Sequence, residues 1–322
     1  MATTLGILMP LRVEGALGDP ESLPIGRAML RMAIEGIRII LGDQVDNGVM
    51  TGFDVVSGDW RKVSLPLDVA YDRFPSQSRP DDYAQLLANL GDIPLGNPPE
   101  LTELCRDKLA CQRTLERAGV PMPPVCVRWM NSMLGKWGAG FLKPRHGSFG
   151  RGVEYVDSAR VQGLPTRAEG AVRGQRDQML LQRAVAPPSG WAGVSVRQLV
   201  QRDLSGRWLP LPAAVRRSRT DRVVNVARDA EVVPAADVLT KAAVYRMAVI
   251  SEQVTSAIAR DATAVELGLD FCIDRDHIPW LIEVNSRPRG RLRVLAEQDP
   301  RRFADAHLEA CCRPFRWLAS QV

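Results

Sequence analysis

The sequence predicts a mixed α/β protein with more than one domain, on three observations. Short apolar strands alternate with helical segments over about the first 96 residues. A glycine loop, FLKPRHGSFGRG (141–152), lies between two strand-like runs. A series of antiparallel-type strands then follows residue 179 and ends in helices. At 322 residues the chain is long enough for about two domains with separate cores.

Taken in order, TLGILMP reads as a buried strand and IGRAMLRMAIEGIRIILG as a helix. GVMTGFDVVSG and KVSLPLDVAYDRF supply further strands, and PDDYAQLLANLG a second helix. LGNPPELTELCRDKLACQRTLERAGVPMPP gives turn residues, then one helix burying Leu101, Leu104, Leu109 and Leu115, with Gly119 and the prolines as its stop. GAGFLKPR and GVEYV flank the glycine loop, and a polar loop runs from Asp157 to Gln178. MLLQRAV, SVRQLVQRD, RWLPLPAAVRRS and RVVNVAR read as strands of a mostly antiparallel sheet. A helix over about 236–259 follows, then a hairpin of AVELGLDFCID and IPWLIEVNS turning at Arg275 and Asp276, and a last helix from Pro300 to Ala319.

Composition narrows the function classes. The net charge of +5 comes mainly from arginines spread along the chain without interleaved aromatics, which argues against a polynucleotide partner. The six cysteines lack metal-ligand spacing and read as small buried hydrophobes in a reducing compartment. No apolar run is long enough to span a membrane and the start has no leader pattern, so a soluble cytoplasmic protein is expected. The lysines are only Lys62, Lys108, Lys136, Lys143 and Lys241, so each stands out.

In the glycine loop, Gly147, Gly150 and Gly152 can take positive φ and bring backbone N–H groups against a ligand, as a phosphate cradle needs; a plain hairpin turn is the alternative. Lys143 precedes the glycines on a strand, unlike the lysine of a Walker loop, so the segment reads as a flap over phosphates. In the late hairpin, Glu283 and Asn285 share a strand face, and Asp270 falls opposite them if paired residues sum to about 553. Two carboxylates and a carboxamide are hard oxygen donors of the kind Mg²⁺ takes; solvent-facing strand residues are the alternative.

Lys108 in RDKLACQRTL, FLKPRHGSFGRGV, MLLQRAV, VSVRQLV, GLDFCID and LIEVNSRP occur in an order that resembles the ATP-grasp superfamily over residues 97–290. TGFDVVSGDW and LPLDVAYDRFPSQSR are similar to its YheC/YheD-type, spore-coat-associated branch. The resemblance implies an N-terminal α/β domain (1–96) and two α+β subdomains (97–182 and 183–322) sandwiching a nucleotide. It implies Lys108 and Lys143 on the phosphates of ATP, with Gly147, Ser148, Phe149, Gly150 and Gly152 in the lid. Gln182 and Arg183 would face the adenine, with Val185 at the hinge. Asp270, Glu283 and Asn285 would hold one or two Mg²⁺ ions, with Mn²⁺ as a substitute.

The implied activity is that of a ligase. A small-molecule or peptide carboxylate attacks the γ-phosphate of ATP, and an amine captures the acyl phosphate. Arg197 and Arg216 match arginines facing the transferred group, where a planar fork binds two oxygens. Asn225, Arg287 and Arg289, with Tyr71 and Arg73 from the first domain, are candidates for substrate recognition, and a homodimer is the expectation by resemblance. Three positions depart from the family pattern: Ser195 stands where an aspartate is common, Arg183 is basic at the hinge, and the glycine pair after Asn225 is missing. A nucleotide-binding scaffold without the ligase step is therefore the alternative function.

Overall fold

In the computed structural model, which describes residues 2–10, 19–147, 151–159, 179–224, 230–288 and 292–322, the first apolar run forms β1 (Thr3–Leu8) inside a six-stranded sheet. The run expected as one helix from Ile25 divides. Helix α1 (Pro24–Ile34) ends before Gly36, which takes φ +81°, and the chain continues as β2 (Ile37–Asp46), parallel to β1. The reason lies in IRIIL: Ile37, Ile39 and Leu41 enter one core while Ile40 enters another. A buried strand meets that two-sided demand, and a helix with one apolar stripe does not.

β3 (Val49–Val56) and β4 (Asp59–Pro66) extend this sheet antiparallel beyond β2; β5 (Val69–Asp72) and β6 (Leu95–Gly96) extend it parallel beyond β1. Helix α2 (Pro80–Leu90) covers one face with Tyr83, Leu86 and Leu90. The other face takes α1 together with the last helix of the chain, Pro300–Ala319, whose Cys311, Phe315 and Leu318 join Leu5, Met32 and Ile39. The C-terminal helix thus closes the core of the N-terminal sheet.

The helical run after residue 97 is two helices, α3 (Pro99–Arg106) and α4 (Lys108–Arg117). Asp107 separates them, because its backbone is extended and its carboxylate caps the N–H groups of Leu109 and Ala110. Leu101, Leu109 and Leu115 are buried as expected, and Leu104 only partly. A second sheet holds β7 (Val125–Cys126), β8 (Ala139–Pro144), β9 (Glu154–Asp157) and β10 (Met179–Arg183) in the order β7-β10-β8-β9, antiparallel throughout. Helix α5 (Met130–Trp137) packs Leu134 on its Val156 and Leu181.

The third sheet runs β14 (Glu231–Pro234), β13 (Ala214–Ser218), β11 (Gly193–Arg202), β15 (Glu266–Ile273), β16 (Pro279–Asn285), with β12 (Trp208–Pro210) on β11. Residues 207–218, expected as one strand, are therefore two, since Pro210 and Pro212 remove ladder donors between them. Arg222–Val224 form no strand, and the rest of that expected strand to residue 228 lies outside the described residues. The helix expected over 236–259 is one turn, Ala235–Val238, and then a helix Lys241–Ile258, which Thr240 starts by capping Ala243 N. Met247, Ile250 and Val254 of that helix pack on Val196, Leu267, Leu269 and Phe271. Among the described residues no helix is long and apolar enough to cross a membrane.

Asn97, buried just after β6, joins the first sheet to the third. Its amide accepts from Val265 N (2.6 Å) and donates to the carbonyls of Glu266 (2.7 Å) and Ser286. An alanine there leaves three buried backbone groups unpaired. Asn97→Ala is predicted to cost about 3 kcal/mol, measured by denaturant unfolding; a loss under about 1 kcal/mol would mean that these bonds do not hold the two sheets.

Candidate active site

β15 reads ELGLDFCI, a strict alternation. Leu267, Leu269, Phe271 and Ile273 go to the core under the long helix, so Glu266, Gly268, Asp270 and Cys272 line the opposite face. On its neighbours that face carries Ser195, Arg197 and Arg216, by the pairings Ser195↔Cys272, Arg197↔Asp270 and Ser195↔Arg216. β16 adds Glu283 opposite Asp270 and Asn285 opposite Gly268, the register expected from the sequence, before a bulge shifts the ladder between Asp270 and Phe271.

The three oxygen-bearing side chains converge. Asn285 Nδ2 donates to Asp270 Oδ2 at 3.1 Å, leaving the amide oxygen free of that bond. Arg197 grips Asp270 through Nε and Nη2, both at 2.6 Å, and Arg216 Nη1 stands 4.0 Å from Asp270 Oδ1. Burial pushes the Glu283 carboxyl up from its usual range, with Asp270 adding to the rise and Lys108, Lys143 and Arg197 opposing it. Burial likewise lowers Arg216.

These donors suit a hard divalent cation. Asp270 and Glu283 supply the charge, Asn285 supplies a neutral oxygen, and Asp270 Oδ1 keeps a lone pair beside its arginine bond, while Oδ2 accepts from both Arg197 and Asn285. Among the described residues no group of three His, Cys, Asp or Glu side chains offers an alternative metal cluster.

Across from this face, β8 and β10 present Lys143 and Gln182, both buried. Lys143 Nζ donates to Gln182 Oε1 at 2.9 Å, Gln182 Nε2 to Gln112 Oε1 at 3.2 Å, and Gln112 Nε2 to the Pro123 carbonyl at 2.8 Å. The backbone carbonyl at the end of this chain fixes both amides, so an acceptor always faces the lysine. Burial holds the Lys143 ammonium down to about 8, against an ordinary 10.5, with Lys108 adding to the fall and Glu283 and Asp270 working against it.

Lys108 opens α4 and donates from Nζ to the Gly147 carbonyl at 2.6 Å. Its backbone N–H bonds Arg145 O, and Arg145 pairs both nitrogens with Asp107 at 2.7 and 2.5 Å. That pair holds the Asp107 carboxyl down at about 2 and roots the glycine loop on the cap of α4. Gly152 takes φ +70° where a Cβ would meet Pro144 at 3.0 Å, so this end of the loop needs glycine. Ser148, Phe149 and Gly150 lie outside the described residues, as do Asn225 and Arg289.

Arg183 lays its guanidinium over the Trp280 ring at 5.8 Å, linking the second sheet to the third, and Val185 follows β10, half-buried. Tyr71, Arg73 and Arg287 are all engaged within the fold. The Tyr71 hydroxyl and Arg73 Nη1 (3.1 Å) donate to the fully buried Glu266, and Arg287 donates to Asp72. Ser195, standing where the family pattern commonly has an aspartate, has a buried hydroxyl with no partner among the described residues.

Sequence reasoning missed Gln112 and Glu266. Glu266 shares the alternation phase of Asp270, so the strand pattern held a signal for it; Gln112, an ordinary helix residue in the sequence, gave none.

Residues 166–309 match a family model described as YheC/D like ATP-grasp, in keeping with the resemblance in the motifs. Among solved structures, D-alanyl-alanine synthetase A from Vibrio cholerae is similar at a TM-score of 0.63 and 17% identity, covering 98% of this chain and 99% of that one. D-cycloserine synthetase DcsG gives 0.63 and 13%, covering 99% of each chain. The ATP-grasp ligase PsnB, complexed with a minimal precursor, gives 0.59 and 13%, covering 98% and 100%. At these identities the likeness establishes the fold.

The Lys143 environment predicts a pH dependence. A bound phosphate favours the ammonium, which predominates below about 8, so above that pH binding must take up a proton. Affinity for a nucleotide should fall as pH rises through about 8, approaching tenfold per pH unit. Titration calorimetry should find the fall in the wild type and not in Lys143→Arg; a pH-independent wild type would contradict it.

Proposed function

From the premise that the chain has the ATP-grasp fold, with residues 166–309 matching the YheC/D like ATP-grasp model, we propose that it is an ADP-forming ligase. It activates a substrate carboxylate as an acyl phosphate for capture by an amine. The observation that carries this reading is the facing of buried Lys143 and half-buried Lys108 against the Asp270, Glu283 and Asn285 face of the third sheet. Opposed cations and oxygen donors are what a triphosphate with its metal requires.

Lys143 and Lys108 neutralise the phosphates, and the Gln182–Gln112 chain keeps Lys143 aimed at them. Asp270, Glu283 and Asn285 would hold Mg²⁺, which when bound supplies charge neutralisation between phosphate oxygens. The substrate carboxylate oxygen attacks the γ-phosphorus and the bond to ADP breaks. The amine then displaces phosphate from the acyl carbon and releases a proton. Arg197, positioned by Asp270, and Arg216, with no hydrogen bond of its own to a described residue, stabilise the charge on the transferred group. The similar structures, a D-alanyl-alanine synthetase, a D-cycloserine synthetase and a ligase complexed with a minimal precursor, support a small-molecule or peptide carboxylate.

The alternative, a nucleotide-binding scaffold, draws support from the orphaned Ser195 hydroxyl beside Arg216. The two readings part in one assay. Screening amino acids and short peptides for carboxylate-dependent ADP release should find turnover that Lys143→Ala and Glu283→Gln each lower at least a hundredfold, about the effect of removing one charge-stabilising group. Tight binding of ATP with no ADP from any carboxylate would favour the scaffold, and turnover untouched by both variants would remove the ligase assignment.

A further inference from the structure

β16 ends at Asn285, so no further ladder bond fixes the chain beyond it. The next three residues are nonetheless held, each by a group from the first hundred or so residues. The Ser286 carbonyl accepts from Asn97, and its hydroxyl meets Thr102 Oγ1 at 3.2 Å. Arg287 donates from Nη2 to Asp72 and to the Tyr83 hydroxyl (2.9 Å), and from Nη1 to the Phe74 carbonyl and Ser76 Oγ (2.9 Å). The Pro288 carbonyl accepts from Arg73 Nη2 at 2.7 Å.

The anchor for Arg287 is itself rigid. Asp72 has a fully buried side chain, and its carboxylate also takes Phe74 N (2.9 Å) and the Tyr83 hydroxyl (2.5 Å). Pro288 lies against Gly268, where a Cβ would come within 2.8 Å of the Pro288 Cβ; Gly268 is the ladder partner of Asn285. Residues 286–288 are thus pressed onto the same two strands that carry Asp270 and Glu283.

We propose that Arg287, locked to Asp72, is a positioning residue for the cation site: it fixes the backbone after Asn285 so that the Asn285 amide oxygen faces the point shared by Asp270 and Glu283. This gives the N-terminal sheet a part in metal affinity without touching the metal. The inference rests on the reading of these three side chains as cation ligands. Its physical basis is the tolerance of a metal site, whose ligand distances must hold within about 0.2 Å, and the tenfold or larger losses that follow when groups orienting a ligand are removed.

The test measures Mn²⁺ binding by electron paramagnetic resonance to the full chain saturated with ADP. Compared with wild type are Arg287→Met, Arg287→Lys, Asp72→Asn and a control, Arg316→Met. Arg316 ties the last helix to Glu35 and Glu309, and among the described residues no hydrogen bond or ion pair joins it to residues 286–288.

Arg287→Met and Asp72→Asn should weaken Mn²⁺ about tenfold with metal-free ADP affinity unchanged. Arg287→Lys, which keeps the charge but loses the fork, should fall between. Arg316→Met should lower the Tm and leave Mn²⁺ affinity alone. If Arg287→Met does not fold, Arg287→Lys and Asp72→Asn decide the matter. Wild-type binding that these variants leave within about twofold, or that the control weakens equally, overturns the positioning role alone. No Mn²⁺ binding by the wild type with ADP overturns the ligand reading and this inference together.

Discussion

Four cations and two carboxylates share one partly dehydrated cleft, and the balance among them governs the rest of the structure. Lys143 and Arg216 are both lowered by burial and Glu283 is raised by it; Glu283 partly restores Lys143 from across the cleft, Lys108 and Lys143 partly restore Glu283, and Asp270 partly restores Arg216 within its own sheet. Removing Asp270 would leave the Arg197 guanidinium without its paired carboxylate. With Lys108 and Arg197 included, the cations exceed the carboxylates by two. A polyanion carrying its own divalent metal complements that surplus, because it adds negative charge on the lysine side and positive charge on the carboxylate side.

Holding such charges in register requires a scaffold that cannot slip. β15 supplies it through alternation, since moving ELGLDFCI by one residue would bring Asp270 into the leucine core and Phe271 into the cleft. The bulge after Asp270 lets Asp270 and Glu283 stay matched while the rest of the hairpin follows a different register. Gly268 leaves room for Pro288 to close over the end of β16, and the N-terminal sheet reaches the site through that closure.

Much of this was legible in the sequence. The carboxylate hairpin could be read because an antiparallel register follows from the turn position, and alternation then dictates the face. The glycine loop between two strands was legible for the same local reason. The helix departures share a cause, which is that apolar content alone does not mark a helix boundary. Asp107 and Thr240 cap new helices inside what looked like continuous runs, and IRIIL is two-sided only once both cores of the first sheet are known. Tyr71, Arg73 and Arg287 looked like free recognition groups because their partners, Glu266 and Asp72, lie some two hundred residues away, a separation that no local pattern encodes.

The cysteines bear on the kind of chemistry this cleft can carry. Burial pushes the Cys272 thiol up to about 12, and Cys105 is raised by its neighbour Cys111 and by burial. Both stand close to the charged groups, yet neither is a thiolate at neutral pH, so neither is a nucleophile. The basic groups aimed into the cleft, Lys108, Lys143, Arg197 and Arg216, are suited to binding and stabilising negative charge. A site furnished in this way accelerates a reaction between two bound partners by aligning them and neutralising the charge that passes between them. The proposed phosphoryl transfer, from one oxygen anion to another, needs no more than this, because it asks for no covalent bond to the protein.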